Sequence, residues 1–218
     1  MEKSSWIRKM FEEGIWLKKQ FGEENVFDLS LGNPVIEPPD QVQAALVKAA
    51  KDISPGLHRY MPNAGLQDVR EAIAKTLSNE CQVSLSANDL VMVCGAAGGL
   101  NITLKTLLDS GDEVLIFAPY FVEYLFYADN HEGKAVAVKT HDDFKLDMDA
   151  LKDALSEKTK AVIVNSPNNP TGVVYSREEL KQLAEVLKAH SEKTGKAVYL
   201  ISDDPYKKIT FDEVEVVN

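Results

Sequence analysis

Cysteine is scarce: Cys81 and Cys94 are the only two in 218 residues, and neither has a histidine nearby at ligand spacing. A disulfide framework and a Cys/His metal centre are thereby excluded as organising features, and two reduced thiols are expected. Basic clusters are missing as well. Lys and Arg number 24 against 34 Asp and Glu, a net charge of −10, which makes nucleic acid and anionic membrane surfaces poor partners. No apolar run approaches the length of a membrane span, and charge interrupts the apolar residues of Met1 to Phe21, so neither a spanning helix nor a signal peptide is read. The expected location is cytoplasmic. Nucleotide fingerprints are absent: the small-residue stretch Gly95-Ala96-Ala97-Gly98-Gly99 lacks both the dinucleotide spacing and the Gly-Lys-Ser/Thr of a triphosphate loop.

What the chain does have is a change of pattern along its length. Met10, Phe11, Gly14, Leu17 and Phe21, with Ile7 ahead of them, recur at helical spacing and predict an amphipathic arm. Pro38-Pro39-Asp40 opens a second helix carrying Val42, Ala45, Leu46 and Ala49, and Leu66, Val69, Ile73 and Leu77 mark a third. From Leu90 onward five continuous apolar runs appear: 90–94, 114–118, 135–138, 161–164 and 197–201. Runs without alternation are expected of parallel strands covered on both faces. Helical segments around Leu100 to Leu108 and Met148 to Leu155 lie between them, and a third begins at a capping box, Ser176 with Glu179. The fold class is therefore α/β, a mostly parallel sheet flanked by helices. The expected division is an arm and small-domain contribution over 1–50 and a large cofactor-binding domain over 51–218.

Ligands in open α/β sheets bind outside the carboxyl ends of the strands, and four predicted strand ends carry unusual residues. The first runs into Gly95, Ala96 and Ala97, whose small side chains leave helix-start amides open to a phosphate, although tight packing of helix on sheet would also use them. The second ends at Ala118-Pro119-Tyr120-Phe121, which offers an aromatic ring. The fourth ends in Asn165-Ser166-Pro167-Asn168-Asn169-Pro170-Thr171-Gly172, a turn stiffened by two prolines and rich in amide donors and acceptors. The fifth ends in Ser202-Asp203-Asp204-Pro205-Tyr206, with a carboxylate and a phenol but no histidine or third acid to make a metal site. Together these ends suit a phosphorylated, planar, nitrogen-containing ring. An ionised Asp beside a pyridine nitrogen favours the protonated ring and so strengthens it as an electron sink, which points to pyridoxal 5'-phosphate.

In order and spacing these motifs resemble the class I and II aminotransferase family of pyridoxal-phosphate enzymes, over nearly the whole chain. The resemblance implies that Asp203 pairs with the ring nitrogen, that Tyr206 and Asn169 hydrogen-bond the ring's phenolic oxygen, and that Phe121 stacks on the ring. It places Gly95, Ala96 and Ala97 in the phosphate loop, where two alanines offer no hydroxyl or ammonium. It sets Gly32, within Leu31-Gly32-Asn33-Pro34, and Asn169 against the substrate, and gives Tyr60 a reach to the phosphate of a partner subunit in a homodimer. Cis peptides before Pro119 and Pro170 are also implied. The substrates would be an amino acid and a 2-oxo acid. A C–S lyase or decarboxylase of the same fold, and a non-catalytic cofactor-sensing domain, remain as alternatives.

One expected residue is absent. Amino-group transfer needs a lysine that condenses with the cofactor and shuttles a proton. Fifteen residues follow Asp203, and none after Lys208 is a lysine. Lys207 and Lys208 have no Ser-x-x-Lys context and read as surface charges. The sequence thus resembles an amino-terminal portion of the family, expected to be inactive alone. Leu90 to Cys94, whose neighbours in the resembling sheet come from the absent part, is expected to lack partner strands.

Overall fold

Continuous apolar runs become strands in this protein because helices cover both faces of the sheet they build. The computed structural model describes residues 6–29, 32 and 36–217. The chain forms two compact units, Met1–Tyr60 and Met61–Asn218. In the first, α1 (Trp6–Phe21) and α2 (Asp40–Lys51) are both amphipathic, and Phe11, Trp16, Phe21 and Leu46 stay exposed. Ser30, Leu31, Asn33, Pro34 and Val35 lie outside the described residues, so of the Leu-Gly-Asn-Pro segment only Gly32 is placed.

The second unit holds α3 (Gln67–Cys81), α4 (Gly95–Leu107), β1 (Glu113–Ala118), α5 (Glu123–Asp129), β2 (Lys134–Lys139), α6 (Met148–Ala154), β3 (Thr159–Asn165), α7 (Arg177–Thr194) and β4 (Tyr199–Asp203). Four parallel strands pair in the order β2-β1-β3-β4. Side chains alternate across a strand, and the packing follows. Val114, Ile116, Ala161 and Ile163 face one way, against Leu100 and Leu104 of α4 and Tyr124 and Ala128 of α5. Leu115, Phe117, Val162 and Val164 face the other way, against Leu151 of α6 and Leu183 and Leu187 of α7. The capping box forms as expected: the Glu179 amide donates to Ser176 Oγ, and Glu179 accepts from the Ser176 amide.

One element departs from the sequence reading, and the run at 90–94 lacks strand partners among the described residues, as the resemblance implied. Helix α5 was not anticipated; it is seven residues long, and Tyr124, Tyr127 and Ala128 are its buried face. The predicted strand at 90–94 is extended at Leu90 but pairs with no strand among the described residues. Leu90 N–H closes the preceding turn on the Ala87 carbonyl at 3.3 Å, and Met92 N–H reaches the Ala64 carbonyl at 2.9 Å. Gly65 allows that approach, since it has φ of +94° and a Cβ there would lie 2.7 Å from Met92 Cβ. Val91, Met92 and Val93 are 59%, 42% and 40% exposed, against at most 4% for Val114 to Phe117 of β1. Apolar composition makes a segment able to join a sheet, but a neighbour is needed to cover it. Strand β4 lies at the sheet's edge, and Tyr199 and Leu200 are likewise exposed.

Candidate active site

Because the strands are parallel, Ala118, Asn165 and Asp203 end on one edge of the sheet. Helix α4 brings a fourth element to that edge. Its last turn leads through a short loop into the start of β1, and its thirteen residues span roughly 20 Å, about the length of a six-residue strand. Its amino terminus therefore returns to the carboxyl end of the sheet. Gly95 begins the helix with φ of +72°, and Gly95, Ala96 and Ala97 are exposed, so the first-turn amides face solvent unshielded by side chains.

The Asn-rich turn is organised by its own side chains. Asn165, 5% exposed, is paired in register with Asp203. Its Nδ2 donates to the Asp203 carbonyl at 2.8 Å while its Oδ1 accepts from the Asn169 amide at 2.7 Å. Asn168 Oδ1 accepts from the Thr171 amide and hydroxyl, and Ser166 Oγ accepts from the Tyr175 amide. The peptides before Pro119 and Pro170 are cis, as implied by the resemblance, and so is the one before Pro167. Asn165 and Asn168 thus build the turn, which leaves Asn169 half-buried with its amide group toward Tyr206. Asn169 Nδ2 lies 3.4 Å from the Tyr206 hydroxyl.

Asp203 receives a second constraint that the sequence reading missed. The Tyr124 hydroxyl donates to Asp203 Oδ2 at 2.7 Å across 79 residues of sequence. Burial, followed by the hydrogen bond and charge of Asp203, pushes the Tyr124 hydroxyl well above the usual phenol range, so it remains a donor. Tyr124 is 3% exposed and packs edge-on against Phe121, with ring centroids 5.7 Å apart and planes at 86°. A signal for this role is present in the sequence, where Tyr124 follows Phe121 at a three-residue helical spacing.

The structure therefore gathers Asp203, Asn169, Tyr206 and Phe121 on elements that meet at one sheet edge, with Gly95, Ala96 and Ala97 at the helix start beside them. Gly32 and Tyr60 belong to the first unit; both are exposed, Tyr60 fully so. Lys207 and Lys208 turn to Glu80 of α3, at 3.2 and 3.1 Å. Lys207 is not the freely solvated charge expected of it, since its side chain is 22% exposed. The donor set fits a phosphorylated pyridine ring: amides for the phosphate, one carboxylate fixed by a neutral donor, and an amide and a phenol together.

Known proteins resemble this chain in sequence and in fold. Residues 24–217 match the family model described as aminotransferase class I and II. The aspartate aminotransferase of Pyrococcus abyssi is 36% identical over 97% of this chain and 51% of its own length, and that of Geobacillus stearothermophilus is 35% identical over 86% and 46%. Among solved structures, an amino transferase from Eubacterium rectale superposes with a TM-score of 0.90 at 38% identity, covering 97% of this chain and 54% of that one. The Thermus thermophilus aspartate aminotransferase with maleate gives 0.85 at 30% identity, covering 99% and 54%. The chain spans about half the length of the relatives it matches. It belongs to the class I and II aminotransferase family.

Proposed function

We propose that this chain holds pyridoxal 5'-phosphate and that the protein it represents transfers an amino group between an amino acid and a 2-oxo acid. The observation that carries the reading is Asp203: a carboxylate at a strand end, with Oδ2 taken by Tyr124 and Asn169 and Tyr206 close by on the same edge. When bound, the group supplies an electron sink, because its protonated ring draws in the electron pair left at the substrate's α-carbon.

This chain's residues keep that ring in its active form. Asp203 holds the proton on the ring nitrogen through its remaining oxygen, since an opposite charge at contact distance favours the cationic ring. Tyr206 and Asn169 hold the phenolic oxygen. The amides of Gly95 to Ala97 hold the phosphate at the amino terminus of α4, where backbone N–H groups and the helix dipole both favour an anion. Phe121 covers one face and excludes water. Asn169 bounds the substrate side in this reading, Gly32 of the first unit is the other residue assigned to the substrate, and fully exposed Tyr60 is open to a second copy in a homodimer.

Residues 1–218 alone are expected to bind without turnover, since Lys207 and Lys208 are engaged by Glu80 and no lysine follows them. The test is Asp203→Asn. A charge-assisted hydrogen bond contributes about 1.5–3 kcal/mol, so affinity for pyridoxamine 5'-phosphate should fall roughly ten- to hundredfold. That probe needs no lysine to condense with. Equal affinity in the variant would remove Asp203 from its role. In the complete protein, transfer of label from a 15N amino acid to a 2-oxo acid tests the reaction class.

A further inference from the structure

Tyr206 sits on a turn with few anchors. Residues 204–208 follow β4 directly, and inside the turn the Ile209 amide donates to the Tyr206 carbonyl while Ser202 donates to Asp204. Among the described residues, the polar ties from 204–208 to other helices and loops are the 3.4 Å contact of Tyr206 with Asn169 and the two lysine contacts to Glu80. The first is at the long limit of a hydrogen bond; the others, at 3.2 and 3.1 Å, are within hydrogen-bond range and charge-assisted.

Glu80 sits in the last turn of α3, and each carboxylate oxygen takes a different lysine. Oε2 accepts from Lys207 Nζ at 3.2 Å and Oε1 from Lys208 Nζ at 3.1 Å. The Glu80 and Lys207 side chains are 29% and 22% exposed, which lessens solvent screening of that pair, whereas Lys208 is 76% exposed and its contact is a surface one. Hydrogen bonds from Lys208 and then Lys207, with their charges, hold the Glu80 carboxyl below the usual range, so it stays ionised. One anion between two adjacent cations ties the turn at 207–208 to the end of α3, one residue after Tyr206.

We propose that Glu80 is a positioning residue for the cofactor site: by clamping Lys207 and Lys208 it holds the turn that presents the Tyr206 hydroxyl beside Asn169. This inference rests on the cofactor reading given above. Glu80 touches neither cofactor nor substrate in it and acts only through Tyr206.

The experiment is a double-mutant cycle read by pyridoxamine 5'-phosphate affinity. Glu80→Gln should weaken binding about three- to tenfold, and Lys207→Met with Lys208→Met should reproduce the loss without altering α3. In a Tyr206→Phe background, Glu80→Gln should add nothing. The reversed arrangement, Glu80→Lys with Lys207→Glu and Lys208→Glu, should restore most of the affinity, and raised salt should weaken wild-type binding more than that of Glu80→Gln. A loss of equal size with and without the Tyr206 hydroxyl, or no loss in either clamp variant, overturns the inference. Failure of the cofactor reading looks different, because Asp203→Asn and Tyr206→Phe would then leave binding unchanged.

Discussion

Replacing Asn165 by alanine should separate the two strand ends that build the site. The Asn165 side chain bridges β3 and β4, donating to the Asp203 carbonyl at 2.8 Å and accepting from the Asn169 amide at 2.7 Å. Alanine leaves one acceptor and one donor unpaired. An unsatisfied buried group costs about 1–3 kcal/mol, and because Asp203 and Asn169 are half-buried the lower part of that range applies to each, giving roughly 2–3 kcal/mol in all. With a urea slope of about 2 kcal/mol/M, the midpoint should fall by roughly 1–1.5 M. The probe matters: Trp6 and Trp16, the only tryptophans, both lie in the first unit, so their fluorescence would follow the wrong unit. Far-UV circular dichroism with amide exchange across β3 and β4 reports the right one. Affinity for pyridoxamine 5'-phosphate should fall as well, since Asp203 and Asn169 lose their mutual register. An unchanged midpoint with unchanged affinity would refute the view that Asn165 joins the two ends.

Further outcomes follow from other contacts. Tyr124→Phe keeps the ring packed on Phe121 but leaves Asp203 Oδ2 without its donor, so cofactor affinity should fall about tenfold and the urea midpoint should fall by roughly 0.5–1 M; calorimetric titration with the urea curve checks both. Tyr175, 2% exposed, has its hydroxyl pushed up to about 12 by burial and by the charge of Glu179. The folded state therefore keeps this proton when the unfolded chain, titrating near 10, has lost it. Its contribution is fully present below about pH 10 and disappears as pH rises through about 12, up to roughly 2–3 kcal/mol. Urea unfolding at pH 8 and pH 11 should show about 1.4 kcal/mol of that loss from this group, which Tyr175→Phe should remove; identical pH dependence in the variant would contradict the assignment.

Legibility of the sequence tracked how local each signal was. The runs beginning at Val114, Ala135, Ala161 and Ala197 became strands because each finds helices on both faces or a paired neighbour. The run at Leu90 has the same apolar character, yet its pairing depends on a neighbour no local window reports. Asp203, Asn169 and Tyr206 were readable because parallel strand ends collect ligand groups, and the structure puts them on one edge. Tyr124 was not assigned to Asp203 because 79 residues separate them and α5 is too short to show helical periodicity clearly. Lys207 was read as a solvated charge because its partner, Glu80, lies 127 residues away. Side-chain identity announced the groups; which oxygen met which donor depended on the fold.

The most direct test of the central claim is a crystal structure of the protein soaked with pyridoxamine 5'-phosphate. The ring nitrogen should lie within about 3 Å of an Asp203 carboxylate oxygen, with the phosphate on the amides of Gly95 to Ala97. A ligand bound with that nitrogen turned away from Asp203, or a cleft left empty at saturating ligand, would contradict it.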